Sequence, residues 1–294
     1  MPIHGEVCVA WNTASMEDAL RVVIVAGGAA HFKTINSVCE KSGYSVVSCL
    51  LARSVKSGSP ILPSSAAVIG ELLEVIPGGM DLVLPGSAAG LADALPGYRP
   101  DVIVACGFPW KFPAAVLRIP ELGVLNIHPS LLPKHRGPMP IAWAIRNGDT
   151  GFGLTVHRMD EEFDTGEILS SRGGILLDED PTPERLWGRM DPVIHDLLPD
   201  ALNKVVAGIP GLPQDAGEAS YESSFEPGFY RVDWSNTAVV VHNQVRALRS
   251  LGTGPVAQIG DRRIRVLRTR LDPGEGERVE CADGPLWIVE STSV

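Results

Sequence analysis

No apolar run in this chain approaches the ~20 residues that a membrane span requires. The first 20 residues have neither the basic start nor the apolar centre of a secretory leader. Cysteine is scarce and unpatterned. Cys8, Cys39, Cys49, Cys106 and Cys281 are odd in number, scattered and never spaced CxxC. That argues against a disulfide scaffold and for free thiols in a reducing cytoplasm. Positive charge is in deficit: 25 Lys and Arg face 35 Asp and Glu, a net charge of −10. This weighs against a polyanion bound over the whole surface, although a local basic patch could override it. Gly27-Gly28-Ala29-Ala30 lacks the G-x-G-x-x-G spacing of a dinucleotide fingerprint. Ser130 has no G-x-S-x-G elbow around it, which argues against a serine hydrolase. His128, His135 and His157 match no common zinc spacing, and no metal is expected.

What remains is an ordinary soluble composition, 45% hydrophobic and 20% charged over 294 residues. A chain of this length buries roughly three quarters of its extended surface and can hold two domains. RVVIVAGG reads as a buried strand entering a glycine turn, Phe32–Ser42 as a helix ended by Gly43, and YSVVSCLLA as a second strand. A Ser-, Gly- and Pro-rich loop over 54–65 and a helix over 66–75 follow, then a short strand in MDLVLP and a helix over 86–95. DVIVACG and GVLNIH are the next strands, and 182–206 is a long helix. This rhythm predicts an α/β fold, a parallel Rossmann-like sheet with helices on both faces. We assign it residues 21–208, with 1–20 as an N-terminal extension and 209–218 as a linker. Residues 219–294 differ, with short strand-like pieces (PVAQIG, RRIRVLR, RVEC, PLWIVE) and one helix near Asn236–Leu248. They predict a small C-terminal β-barrel-like domain.

The most informative stretch is Val124–Gly137, VLNIHPSLLPKHRG. Asn126 and His128 stand at i, i+2 on a strand, so both side chains face the same way. Pro129 and Pro133 stop the strand and stiffen its exit. In a parallel sheet, ligands bind beyond the C-terminal strand ends, where this pair falls. An amide beside an imidazole suits oxyanion stabilisation and proton transfer. Thirty-six residues past the histidine, Asp164 precedes Thr165 and Gly166, a turn that can aim a carboxylate back at the imidazole. In isolation, an Asn or His at a strand end is usually a hydrogen-bonded cap.

Asn126, His128, Ser130–Pro133, Arg136-Gly137 and Asp164-Thr165-Gly166, in this order, carry a resemblance. Residues 21–208 resemble the 10-formyltetrahydrofolate-dependent formyltransferases, a family that includes methionyl-tRNA, glycinamide ribonucleotide and sugar N-formyltransferases. YRVDWSNTAVVVHNQVRAL, with its Asp233-Trp234 and Arg246-Ala247 pairs, resembles the start of the C-terminal domain in the methionyl-tRNA formyltransferase-like members. The resemblance implies 10-formyltetrahydrofolate as formyl donor, an amine as acceptor, and catalysis by Asn126, His128 and Asp164. Asn126 would donate to the oxyanion of the tetrahedral intermediate. His128 would hydrogen-bond that oxygen or take the proton leaving the amine, and Asp164 would hold the ring tautomer. Phe108, Pro109 and Trp110 would border the pterin, and Met159, Asp160 and Phe163 would form the facing wall. The alternative for CGFPWKFP is an aromatic plug in the core. Phe32 would lie near the acceptor, and Arg136 is structural or substrate-facing. His135 and His157 read as surface or strand residues.

The acceptor is the open question. The tRNA enzymes of the family carry a basic loop after their second strand. Here that loop has Lys56, with Arg53 just before it. Residues 211–294 hold nine Arg against twelve Asp and Glu, although five arginines crowd Arg262–Arg270. That cluster is either a solvated strand face or an RNA-facing stripe. The sequence therefore favours a small or carrier-bound acceptor such as an amino sugar, an amino acid or a hydroxyornithine. Methionyl-tRNA is the alternative, tRNA being possible but not favoured as a partner. A formyltetrahydrofolate deformylase, which uses water instead of an amine, is the second.

Overall fold

The structure is a computed structural model and describes residues 19–54, 56–61 and 63–294. The extension expected at the N-terminus thus lies, over residues 1–18, outside the described residues.

Strand β1 (Arg21–Ala26) is the centre of the molecule. Val22, Ile24 and Ala26 enter one hydrophobic cluster, and Val23 and Val25 enter another on the opposite face. A strand buried on both faces has no polar side to alternate with, which is why RVVIVA reads as a continuous apolar run. Helices α1 (Ala29–Lys41) and α6 (Pro183–Val206) pack on the first face. Helix α3 (Ala88–Ala94) and α4 (Ala114–Leu117) cover the second, with Trp110 and Phe112 beside them. Strands β2 (Ser45–Leu50), β3 (Asp81–Val83), β4 (Val102–Cys106) and β5 (Val124–His128) run parallel to β1, in the order β3-β2-β1-β4-β5. Helix α2 (Pro63–Leu73) links β2 to β3. The order reverses between β1 and β4, and a crevice opens there at the strand ends.

Two further strands complete the sheet and run the other way. β6 (Gly151–Arg158) pairs antiparallel with β5, and β7 (Ile168–Leu176) antiparallel with β6. The sheet is thus mostly, not wholly, parallel. The antiparallel edge escapes a sequence reading because glycines at 151, 153, 173 and 174 break its apolar pattern. Two of these glycines have a steric reason. A side chain at Gly153 or Gly173 would collide with Leu131, which lies over both.

Helix α5 (Pro140–Asn147) precedes β6 and receives α7 (Ala238–Arg249), the single α-helix of the C-terminal unit among the described residues. Behind α7 stand β8 (Val256–Ile259), β9 (Arg262–Arg270), β10 (Glu277–Cys281) and β11 (Gly284–Ser293), an antiparallel sheet in the order β10-β11-β9-β8. Val245, Ala257, Ile264, Val266 and Ile288 form its core. The chain between the two units does not hang free. Leu212 exchanges two backbone hydrogen bonds with Ile168 at 2.8 Å each, and Glu222 donates to the Arg136 carbonyl at 2.7 Å.

Thr155 fixes the loop that follows β5. It is fully buried on β6; its hydroxyl donates to the Ser130 carbonyl at 2.7 Å and accepts from the Leu132 N–H at 3.2 Å. Thr155→Val keeps the shape but leaves a buried carbonyl and a buried N–H unpaired. It should destabilise the fold by about 1–3 kcal/mol. Urea denaturation measures this, and an unchanged midpoint would mean that the loop is held by packing alone.

Candidate active site

The candidate side chains come from three places that the fold brings together. β5 supplies Asn126 and His128. β6, antiparallel beside it, sets His157 opposite Asn126. The turn between β6 and β7 supplies Asp164, whose φ of 57° is left-handed. That region is costly for a non-glycine residue and persists only where surrounding contacts hold it.

Those contacts are explicit. Asp164 Oδ2 accepts from the Gly137 N–H at 2.9 Å. Gly137 has φ 110°, and a side chain there would run into the Glu222 carbonyl, so only glycine offers this N–H. Gly166 lies so close to the Arg158 carbonyl that a Cβ would overlap it. These two glycines explain the RG and DTG spellings of the sequence motifs.

Asp164 Oδ1 is the focus of the cluster. His128 Nδ1 lies 3.6 Å from it, His157 Nε2 3.5 Å and Asn126 Nδ2 3.4 Å. Asn126 Nδ2 also lies 3.2 Å from His157 Nε2. The opposite nitrogen of each ring faces a main-chain oxygen: His128 Nε2 the His135 carbonyl at 2.9 Å, His157 Nδ1 the Arg158 carbonyl at 3.0 Å. Those carbonyls assign the ring protons to the outer nitrogens. The inner nitrogens, when neutral, turn lone pairs toward a carboxylate. A proton arriving at either would be stabilised at once by Asp164. The arrangement is therefore a proton acceptor with an amide donor beside it.

Electrostatics follow from burial. His128 is 4% exposed. Burial pushes its imidazole below the usual range, and the upward pulls of Asp164 and the His135 carbonyl do not offset it. Burial also pushes the Asp164 carboxyl up, but contact with His157, the charge of His128 and the Gly137 N–H outweigh it and hold the pKa at about 2. At neutral pH the imidazole is neutral and the carboxylate ionised.

The other residues singled out by the sequence fall in two groups. Phe108 and Trp110 pack edge to face at 5.3 Å, and Trp110, 5% exposed, donates its Nε1–H to the Ser54 carbonyl at 3.0 Å. Pro109 is exposed. Across from this loop, Met159 is half-buried and Phe163 is 40% exposed. Asp160 caps its own turn, accepting from Thr165 Oγ1 at 2.6 Å. Lys111 joins the two segments through Glu162 at 3.1 Å and lies over the Phe163 ring. Phe32, in contrast, is 1% exposed within the main core and has no open face. The Arg136 guanidinium is engaged by Gln214 Oε1 at 2.7 and 3.1 Å.

Sequence reasoning missed His157 as a member of the cluster and Gln214 as a neighbour. His157 is a strand residue as expected, but buried at 1% and not on the surface. Its signal would have been the β5–β6 register, which needs β6 to be recognised as antiparallel. No group of three or more His, Cys, Asp or Glu among the described residues is arranged to hold a metal ion. A cavity of about 260 Å³ lies at the ends of β1, β2 and β4. Gly27, Leu51, Ser64, Val68, Gly107 and Pro109 are among its lining, and none of the described lining residues carries a charge.

An α/β sheet with a proton-accepting cluster beyond the end of β5 has the arrangement of an enzyme site. The comparisons narrow it. The formyl transferase family model matches residues 86–202, and the model of the formyl transferase C-terminal domain matches 225–293. The methionyl-tRNA formyltransferase of Pelobacter propionicus is 32% identical over 216 residues, 69% of this chain and 67% of that protein. The one from Trichlorobacter lovleyi is 36% identical over 206 residues, 65% of this chain and 64% of that protein. The matches thus span about two thirds of these relatives' lengths. Among solved structures, the sugar 3N-formyltransferase WlaRD aligns with a TM-score of 0.64 at 16% identity, over 92% of this chain and 97% of that one. The chain belongs to the formyltransferase family.

Acidification should weaken the fold in two steps. A buried neutral imidazole opposes protonation that the unfolded chain accepts, so stability falls as pH drops below about 6.5. The Asp164 carboxylate contributes stability above its unfolded value near 3.8, and this is lost as pH falls toward about 2. The second loss is about 1–2 kcal/mol. Denaturation curves between pH 7 and 2.5 should show both for the wild type. In Asp164→Asn the lower step should shrink by that amount, the share of Asp178, Glu184, Glu226 and Asp233, whose carboxyls are also held low, remaining; a step of undiminished size would mean that the ionised carboxylate is not what holds the turn.

Proposed function

We propose that the chain transfers the formyl group of 10-formyltetrahydrofolate to an amine. One observation carries this reading: two imidazoles and an amide converge on Asp164 Oδ1 at the C-terminal end of β5. Attack by a neutral amine on the formyl carbon puts negative charge on the formyl oxygen and leaves a proton to lose on the nitrogen. The Asn126 amide is the donor for that oxygen, through the N–H that makes the long 3.4 Å contact to Asp164 Oδ1. His128 Nδ1 takes the proton, Asp164 stabilises the imidazolium so formed, and the same proton passes to the folate nitrogen as the intermediate collapses, breaking the bond between the formyl carbon and that nitrogen and releasing tetrahydrofolate. His157 accepts from Asn126 and so keeps the amide turned toward the site. The folate would lie between the loop of Phe108, Pro109 and Trp110 and the segment of Met159, Asp160 and Phe163. Phe108 and Phe163 offer apolar faces, while Trp110 shapes the wall from behind. The structure of WlaRD was solved in the presence of 5-N-formyl-THF, which supports a folate donor for this fold. We assign the reaction to the cytoplasm.

For the acceptor, the relatives favour methionyl-tRNA over the small amine expected from the sequence. The cavity at the switch point supports this: an uncharged lining suits an aliphatic aminoacyl side chain better than a phosphate. Arg263, Arg268 and Arg270 are exposed on β9 and supply cations, whereas Arg265 is bound to Thr253 and Gly254 and Arg262 to Glu277. A small amine is kept as the second reading because the loop after β2 carries few cations and the whole chain is acidic.

Labelled formyl followed from the folate decides between these. Transfer to charged initiator tRNA supports the first reading, transfer only to a small amine the second. Label released solely as formate would make the chain a hydrolase and overturn both. His128→Ala should lower turnover by about two orders of magnitude or more, with folate binding spared; near-normal turnover would remove the imidazole from the mechanism.

Binding of tRNA, if it is the acceptor, must depend on salt, each neutralised phosphate adding nearly one unit to the slope. Arg263→Ala and Arg268→Ala should each flatten that slope. Slopes unchanged in both variants would exclude β9 as the RNA-facing stripe.

A further inference from the structure

Gln214 lies in the segment that the sequence marks as a linker, yet every polar atom of its side chain is engaged near the candidate site. Its amide nitrogen donates to the Asp164 carbonyl at 2.9 Å and to the Gly166 carbonyl at 2.7 Å. Its amide oxygen accepts twice from the Arg136 guanidinium, at 3.1 and 2.7 Å. One side chain therefore ties the turn that carries Asp164 to the loop that follows His128. We infer that Gln214 is a positioning residue for formyl transfer, holding Asp164 in its left-handed turn and Arg136 beside it; this rests on the function proposed above.

The geometry favours that role over a local cap. The chain on either side of Gln214 is anchored independently. Leu212 is paired with Ile168 through two backbone bonds of 2.8 Å, and Ser220 and Glu222 are bonded to the 133–136 stretch. Gln214 is thus presented at a fixed place and does not have to find it. Neither carbonyl it binds is at a helix end or in a strand ladder, so without Gln214 both would need other donors. The Asp164 carboxylate would then be held by the Gly137 N–H and the Asn126 amide, with no donor on the backbone carbonyls of the turn itself. The segment between the domains would in this way complete the catalytic turn.

Gln214→Met keeps the length of the side chain and removes all four hydrogen bonds. Gln214→Glu keeps the acceptor for Arg136 and removes both donors to the turn. Thermal melting establishes that each variant folds. The proposal expects kcat to fall about tenfold or more in both, with KM for the folate changed less than about twofold. It also expects the Asp164 carboxyl titration, followed by carbon NMR, to move upward in Gln214→Met as the carboxylate drifts from Gly137, His128 and His157. Tyr221, Lys111 and Glu162 also act electrostatically near this carboxylate or its neighbours, and none is altered in either variant. A folded Gln214→Met with wild-type kcat and an unmoved Asp164 titration would overturn the inference. If the wild type moves no formyl group but the titration still shifts in the variant, the positioning role stands and the proposed function falls.

Discussion

The site depends on holding a single carboxylate in an unfavourable backbone conformation. Asp164 is left-handed, which a side-chain-bearing residue adopts only under constraint. Its Oδ2 is bound by the Gly137 N–H, its carbonyl by Gln214, and its Oδ1 faces two buried imidazoles. The glycines of the two sequence motifs exist for this packing. Gly137 gives close approach to the Glu222 carbonyl, and Gly166 to that of Arg158. Neither glycine does chemistry, yet a Cβ at either would displace the turn that aims the carboxylate.

The sheet provides the rigid side of this arrangement. β1 is packed on both faces, and β4 and β5 follow it in register, so the end of β5 moves only with the core. Reversing direction at β6 then has a functional consequence. An antiparallel neighbour brings His157 directly opposite Asn126, whereas a parallel strand would need a crossover to reach the same edge. The glycines of β6 and β7 make room for Leu131, and Thr155 pins the backbone on either side of it. The loop after His128 is consequently held from below by β6 and from above by the chain between the domains.

That interdomain segment changes how the two units relate. Composition marks it as a Pro- and Gly-bearing connector, but Leu212 within it pairs with Ile168, and Tyr221 just beyond it pairs with Arg136. Arg249 of α7 adds an ion pair to Asp180 at 2.9 Å, and Arg246 donates to the Asp178 carbonyl at the same distance. The C-terminal unit is therefore seated on the catalytic one through partly buried contacts, where charge pairs are less screened than at the surface.

The features legible in the sequence are local ones. An apolar run buried on both faces, the i, i+2 spacing of Asn126 and His128, and the prolines that end β5 all follow from residue chemistry over a few positions. The parallel core of the sheet, the helices on its two faces and the β-rich C-terminal unit could be read for the same reason. The order of the motifs carried the family. Long-range packing settled the rest. His157 joined the cluster through a strand pairing that glycines conceal. Gln214 reached Asp164 from 50 residues away through a segment that looks structureless. Phe32, apolar and close to a glycine turn, went into the core because a helix face packed against β1 leaves it nowhere else. Spacing along a chain reports which side chains share a face; which faces meet is settled only when the whole chain has packed.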